Sequence, residues 1–550
     1  MQNNPVESTK DFDAIIIGSG IGGLTTAAIL ARMKHQRVLV LERHYRAGGF
    51  THTFKRPGGY EWDVGLHYVG DMNEGSSGRK LCDFITAGEV RWSPMPDVFD
   101  RFLYPGFTFD VPKGQANYQA ALIEKFPNEA DAIKRYFVDV RQAVGFFTRH
   151  IVAGAVPALL AACVRFANSF ASRQALTTTR DYLDAHFKDA QLKAVLTSQW
   201  MDYGLPPSQS AFATHALIVN HYLNGAWYPE GGSGVIAESA QRVIESMGGR
   251  LLVNHEVQQI VVENGRAIGV DVRVNGKSSA IRFNARLIVS DAGAWNTFQK
   301  LLAQSIKLPI RDELKDLVST EFPAATTATL YLGLNRDPRN LGFKGENYWI
   351  FESLDHEAML TGQDQLLDGK THGCYLSFPS LKNPLAQHHT AEIIAPLSYS
   401  CLEKFRNEPW RRRSLRYQEM KAAISKALLA SVEERFPGFG ATVAFSELST
   451  PLTIEHFTDH PKGAIYGLPA TPARYRKSWL KPDTPVNGVY LTGVDAGSLG
   501  IMGAMMGGVS AAARIIGPFG FFSIMAAAMR NKANVKKFPV DTSEPTRVIS

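Results

Sequence analysis

The sequence predicts an α/β protein: a Rossmann-type nucleotide-binding domain built from discontinuous segments, a mixed α+β substrate domain and a helical insert. Three observations predict it. A strand, glycine turn, helix and second strand occupy residues 13–42. A β-meander over residues 249–284 is followed by a strand returning to the first sheet. A strand, loop and glycine-rich helix span residues 488–516.

The first element is carried by "DAIIIGSGIGGLTTAAILARMKHQRVLVLERHYRAGGFTHTF". Ala14 to Ile17 reads as a β-branched strand and Arg37 to Leu41 as a second strand ending at Glu42, with Gly18, Gly20 and Gly23 spaced G-x-G-x-x-G between them. The first glycine permits a tight turn, the second a close approach to a pyrophosphate, and the third close packing of helix on strand. A helix starting near Gly22 points its unpaired N–H groups at the phosphates. Glu42 stands where an acid holds ribose hydroxyls, and it would repel a 2′-phosphate, so NADP is not expected in this site.

Residues 86–214 read as largely helical. The second element follows them: Asn264-Gly265 and Asn275-Gly276 are type I′ hairpin signals, and Ile268, Val270, Val272 and Val274 alternate with smaller or polar residues. Leu287 to Ser290 is the returning strand. Between 300 and 449, "TTATLYLGL" and "THGCYLSFP" read as strands and "RYQEMKAAISKALLASVEERFPG" as a helix, the rest of a substrate domain. The third element is "GVYLTGVDAGSLGIMGAMMGGVSAAARII". The nucleotide domain is therefore expected in three parts, 1–85, 215–299 and 450–517, with an apolar segment and basic tail at 518–550.

A chain of 550 residues exceeds the size at which one core stops growing, so about two or three domains are expected. The excess of 59 Lys and Arg over 52 Asp and Glu is spread evenly, which suits an anionic membrane surface or cofactor and excludes a nucleic-acid binder. Cys82, Cys163, Cys374 and Cys401 form no C-x-x-C pair, so neither a metal site nor a disulfide framework is indicated and a reducing cytoplasm is expected. The N-terminus shows no secretory pattern. No stretch reaches the roughly 18 apolar residues needed to span a bilayer. Ile151 to Val164 and Ile515 to Met529 are sized instead to lie in an interface or to be buried, and Lys532, Lys536 and Lys537 after the second favour an anionic surface. Peripheral membrane association is expected.

"ERHYRAGGFTHTF" resembles the R-x-G-G element after the ribose-binding acid in the amine oxidase superfamily of FAD enzymes, and "YLTGVDAGSLGIMGAMMGG" is similar to its closing motif. With "WDVGLHYVG", "NGAWYPEGGSGVIAESAQRVIESMGG" and "STPLTIEHFTDHPKGAIYGL", the likeness is greatest to the phytoene desaturase, carotenoid isomerase and retinol saturase-like branch. The resemblance implies non-covalent FAD, since no cysteine follows Cys401 to form a late cysteinyl-flavin bond. It places Glu42 on the ribose, Arg46, Gly48 and Gly49 along the pyrophosphate and ribityl, and Gly493 and Asp495 on phosphate and ribityl. A helix opening around Gly503 would be aimed at the isoalloxazine. Ile21, Gly22, Arg43, His67, Val257, Asp291 and Ala504 complete the implied cofactor set.

The implied activity is oxidoreduction at carbon–carbon bonds of an apolar isoprenoid, retinoid or carotenoid-like lipid by hydride transfer at flavin N5, as saturation, desaturation or isomerisation. Proton-donor candidates are His67, Tyr68, Tyr203, His221, Tyr222 and Tyr466, with Tyr466 and His67 foremost. No second G-x-G-x-x-G appears, so the electron partner, whether NAD(P)H, quinone or O2, is unspecified. Two rivals share the fold: a flavin amine oxidase, and a non-catalytic carrier of prenyl or other lipid groups.

Overall fold

The computed structural model describes residues 12–275, 279–318 and 326–531. At its centre is a five-stranded parallel sheet in the order Val489–Leu491, Ile288–Ser290, Ala14–Ile17, Val38–Leu41, Arg250–Leu252. The two strands of the glycine unit are buried at every position, as strands covered on both faces must be, so they read as unbroken aliphatic runs. Three of the five strands are contributed by segments hundreds of residues apart.

The helices Ile21–Lys34 and Gly500–Ile516 pack against each other on one face of this sheet, over Ala14, Ile16, Val38 and Val40. The approach is close: a Cβ on Gly508 would lie 2.6 Å from Thr25 Cβ and 2.7 Å from the Gly22 carbonyl. Thr26 and Thr492 join the two chain ends through a 2.9 Å hydroxyl contact. The meander His255–Glu263, Arg266–Val274, Ala280–Asn284 packs Val257, Ile260, Val270 and Val272 onto the sheet's Ile15, Ile17, Leu39 and Leu41. Its first turn takes φ of 50° at Asn264 and 75° at Gly265, as the Asn-Gly signal requires. The second turn, at Asn275-Gly276, falls partly outside the described residues.

The substrate domain is a seven-stranded mixed sheet in the order Val443–Ser449, Thr327–Leu334, His389–Pro396, Gly373–Ser377, Asn347–Phe351, Val98–Tyr104, Phe107–Pro112. The last two strands correct the expectation that 86–214 is helical. "VFDRFLYPGFTFDVP" turns at Gly106 (φ 82°) and alternates buried residues with less buried ones, Phe102 standing opposite Phe109, Tyr104 opposite Phe107 and Asp100 opposite Val111. The hairpin then pairs in parallel with Asn347–Phe351, so the insert begins by completing the sheet. Helices make up most of the remainder, including Ala130–Ala155, Ala158–Ala175 and Phe212–Tyr222, around an aromatic-rich core.

Both apolar segments are bent helix pairs. Pro157 separates Ala130–Ala155 from Ala158–Ala175; Ile151, Ala155, Val156 and Ala161 are buried, whereas Leu159 is 80% and Leu160 45% exposed. Gly517, at φ 128°, ends the closing helix before Gly520–Arg530, which buries Phe521, Ile524 and Ala528 and leaves Phe519 70% and Phe522 54% exposed. Arg514 ties the two segments together by donating to the Val156 carbonyl at 3.0 Å. Among the described residues no helix is long and apolar enough to cross a membrane. Lys532, Lys536 and Lys537 lie outside the described residues.

Candidate functional site

One elongated cavity runs from the glycine turn into the interface between the two sheets. Its first half is walled by backbone. Gly18 adopts φ 93° and Gly48 φ 117°, the left-handed region that favours glycine, and the helix Ile21–Lys34 starts at Gly20 with no side chain capping its first N–H groups. Those donors are left for a ligand anion. Gly20, Ile21, Gly22, Gly48 and Gly49 line the cavity; Gly23 instead lets the helix touch the strand, because a Cβ there would meet the Gly18 carbonyl at 2.4 Å.

Glu42 lies at the end of the second strand with its carboxylate in the wall. Ser19 donates to one oxygen through N at 2.9 Å and Oγ at 2.7 Å, and the His44 N–H donates to the other at 2.7 Å, so the acid is fixed in orientation. Arg43 also lines the cavity. Its Nη2 is 3.2 Å from Glu256, while Nη1 is buried with no protein hydrogen-bond partner, a donor suited to an anionic cofactor. Arg46 is placed differently from what the resemblance implies: it is exposed, its Nη1 donates to the Thr53 carbonyl at 2.7 Å, and it does not reach the wall. His44 and His52 do, with rings 4.6 Å apart; burial pulls each down to about 4, so both are neutral near pH 7. The motif contained both histidines without marking them.

Asp291 follows the returning strand and is packed among Gly18, Gly20, Gly22, Gly23 and Gly493; burial, with the Glu42 and Asp495 charges adding, pushes it up to about 7. Gly493, at φ 72°, is pressed between Asp291 and Gly22, and Val257 completes this side of the wall. Asp495 also lines the cavity, and its oxygens accept from Ala294 N at 2.8 Å and Leu468 N at 3.0 Å, so it pins three segments together. The closing helix begins at Gly500, ahead of Gly503; Gly503 packs on the Ser498 backbone while Ala504 faces the cavity. Leu499, its cap, makes no side-chain cap bond, so a second helix N-terminus is left open.

Beyond these groups the wall turns apolar and aromatic, with Phe50, Trp349, Tyr375, Ile394 and Ile465. His67 and Tyr466, of the six proton-donor candidates, line it. His67 Nδ1 lies 2.8 Å from the fully buried Glu392, whose carboxyl is raised by burial, and burial raises the Tyr466 phenol far above its ordinary value. The other four sit behind the wall. Tyr68 bonds to carboxylates, Tyr222 stacks on it at 4.4 Å, Tyr203 contacts His215 at 3.4 Å, and His221 accepts from Gly70 N at 2.8 Å. Asp202, absent from the sequence-based candidates, lines the chamber.

The residues present fit FAD: two uncapped helix starts, an oriented acid, an orphaned arginine donor and an apolar chamber beyond. None of Cys82, Cys163, Cys374 or Cys401 lines the cavity. Acid precipitation of the yellow protein is accordingly expected to leave the flavin absorbance in the supernatant; colour in the pellet would reveal a covalent bond.

Residues 16–84 match the model of an NAD(P)-binding Rossmann-like domain. The rat protein named all-trans-retinol 13,14-reductase is 31% identical over 96% of this chain and 89% of its own length, and chloroplastic prolycopene isomerase of Arabidopsis thaliana is 25% identical over 92% and 83%. Among solved structures, a putrescine oxidase triple mutant superposes with a TM-score of 0.62, covering 92% of this chain and 99% of its own; at 16% identity that likeness carries the fold alone. The extent and level of identity to the rat enzyme, together with the glycine cradle, lead to one assignment: the chain belongs to the all-trans-retinol 13,14-reductase family, within the FAD amine-oxidase-like superfamily.

Proposed function

We infer that this chain is an FAD-dependent oxidoreductase acting on a carbon–carbon double bond of an isoprenoid, retinoid or carotenoid-like lipid. The observation that carries the reading is the continuity of the cavity: a dinucleotide cradle opens directly into an aromatic, largely apolar chamber, in a chain whose relatives are named for retinol reduction and prolycopene isomerisation. When bound, FAD supplies hydride chemistry at N5. The protein's own contribution is placement and polarity. Glu42 and Arg43 would hold the adenosine and phosphate part of FAD, the uncapped start of Gly500–Ile516 would offer its partial positive charge to the flavin, and Phe50, Trp349, Tyr375 and Ile394 would exclude water from the substrate carbons.

The substrate reaches this chamber from a bilayer. Leu159, Leu160, Phe519 and Phe522 project from the two apolar segments that Arg514 clamps together, forming an apolar face suited to lie in the interface without crossing it. The electron partner is a two-electron donor or acceptor of nicotinamide, quinone or oxygen type.

The test uses the yellow protein reduced anaerobically and mixed with vesicles carrying retinoid and carotenoid substrates. Saturation yields a product two mass units heavier, and isomerisation one of equal mass and changed retention. No conversion of any polyene, with hydrogen peroxide released from simple amines instead, would overturn the reading in favour of an amine oxidase.

A further inference from the structure

In and behind the chamber wall is a pair of carboxyls, Asp202 half-buried and Asp100 fully buried, with too few protons for its contacts. Tyr68 Oη lies 2.8 Å from Asp202 Oδ2 and 3.1 Å from Asp100 Oδ2, yet a phenol has one proton to donate. Asp100 is otherwise well supplied, since Gln199 Nε2 donates to it at 2.7 Å and Asn347 Nδ2 at 2.9 Å, whereas Tyr68 is the side-chain partner that Asp202 has in the structure. The arrangement closes if Tyr68 gives its proton to the Asp100 carboxylate and Asp202 carries a proton of its own. Charge balance agrees. Lys382 Nζ is spent on the His67 carbonyl at 2.9 Å, Ser377 Oγ at 2.6 Å and the Asn347 amide oxygen without bonding to Asp202, and its one positive charge is shared with Glu392, Asp100 and Asp63.

We propose that Asp202 is held as a neutral carboxylic acid in the wall of the substrate chamber and is the catalytic proton donor to the double bond. The proposal rests on the oxidoreductase reading above. In the saturating direction the C=C π bond breaks; one carbon gains the hydride of reduced flavin, the other gains the Asp202 proton, and Asp202 is left as a carboxylate. The two electrons come from the reduced flavin, itself reduced by a nicotinamide- or quinol-class donor, and solvent returns the proton to Asp202. Reversal gives desaturation.

Asp202 feels Asp100, Lys382, Tyr222, Tyr375 and Tyr466 from the elements around it, besides Tyr68 and the adjacent Tyr203. Burial first, and then the Asp100 charge, push Asp202 up to about 8, against about 6 for Asp100. Two carboxyls sharing a site divide in this way: one ionises and the other keeps its proton. The rival donors are less suited. The Tyr466 phenol is too weak an acid, and His67 is engaged by Glu392.

Infrared difference spectroscopy of the FAD-loaded, substrate-free protein, wild type minus Asp202→Asn, tests the protonation without turnover. A carbonyl band of a protonated carboxyl is expected at pH 7 that disappears with a midpoint near 8. Tyr68→Phe removes the phenol oxygen that the Asp202 hydroxyl reaches at 2.8 Å, so the band should move to higher frequency. Single-turnover reduction of the polyene by prereduced Asp202→Asn is expected to slow by about 100- to 10,000-fold with KM little changed. Loss of the band with full polyene activity in wild type would overturn the proposal while leaving the oxidoreductase reading intact. A band present in a wild type inert to every polyene would instead sink that reading. A variant with raised KM and unchanged rate shows Asp202 to be an anchor and overturns its role as donor. Should Asp202→Asn fail to fold, an unmoved band in Tyr68→Phe overturns the assignment.

Discussion

Gly22→Ala is expected to purify colourless and poorly stable. The position has ordinary helical backbone, so the substitution carries no conformational penalty, and helix propensity alone would favour alanine. What decides is space: the added Cβ would lie 2.3 Å from Gly493 Cα, 2.5 Å from Gly493 N and 2.7 Å from Asp291 Oδ1. Two of those three atoms are backbone of the short turn Gly493–Asp495 that follows the sheet's edge strand, and they cannot rotate away. Parting the closing segment from the glycine turn by the needed ångström would spoil the Thr26–Thr492 contact and open the pyrophosphate cradle. Overpacking costs typically about 1–3 kcal/mol, and a backbone clash belongs at or above the upper end. The ratio of flavin to protein absorbance, with the thermal midpoint, checks it. A yellow variant of unchanged ratio would mean that the two segments are not in contact.

Leu159→Ser/Phe519→Ser/Phe522→Ser is expected to leave the protein yellow and free of vesicles. The three side chains are 80%, 70% and 54% exposed, so their loss removes little packing. Fully withdrawing such a side chain from water stabilises by about 1.5–3 kcal/mol, so inserting the exposed parts of these three is worth about 3–6 kcal/mol, a hundredfold or more in partition. Truncation after Arg514 is a poorer test, because it also deletes the buried Phe521, Ile524 and Ala528. Cosedimentation with anionic vesicles, read beside flavin content, distinguishes the outcomes. A triple variant that pellets like wild type would refute the interfacial face.

The nucleotide domain was legible because its signals are local. An aliphatic run before a glycine cluster has few structures open to it, and Asn264-Gly265 supplies the two positive φ values that a tight hairpin needs. The hairpin Val98–Tyr104 and Phe107–Pro112 was missed although its alternation is plain in "FLYPGFTF", because the acids, bases and apolar residues around it have helical spacing. Arg43 and Arg46 differ by three positions, and which of them faces the cavity depends on how the chain leaves the second strand; neither residue's type says so. Asp202 was illegible for a stronger reason. Nothing in "SQWMDYG" marks an acid whose partner, Tyr68, is 134 residues away and whose ionisation is set by the enclosure the tertiary fold builds and by the charge of Asp100, on a hairpin that reads as helix in the sequence.

The central sheet also dictates an order of assembly. Ala14–Ile17 is synthesised first but pairs on one side with Ile288–Ser290, which pairs in turn with Val489–Leu491. Contacts so distant along the chain form slowly, and a nascent polypeptide exposes its aliphatic strands until their partners emerge. The pyrophosphate cradle needs Gly22 and Gly493 together, so the cofactor site is unfinished until the segment around residue 493 has been made and has docked. FAD capture is therefore a late event in folding, and the long wait before it is when chaperones matter most.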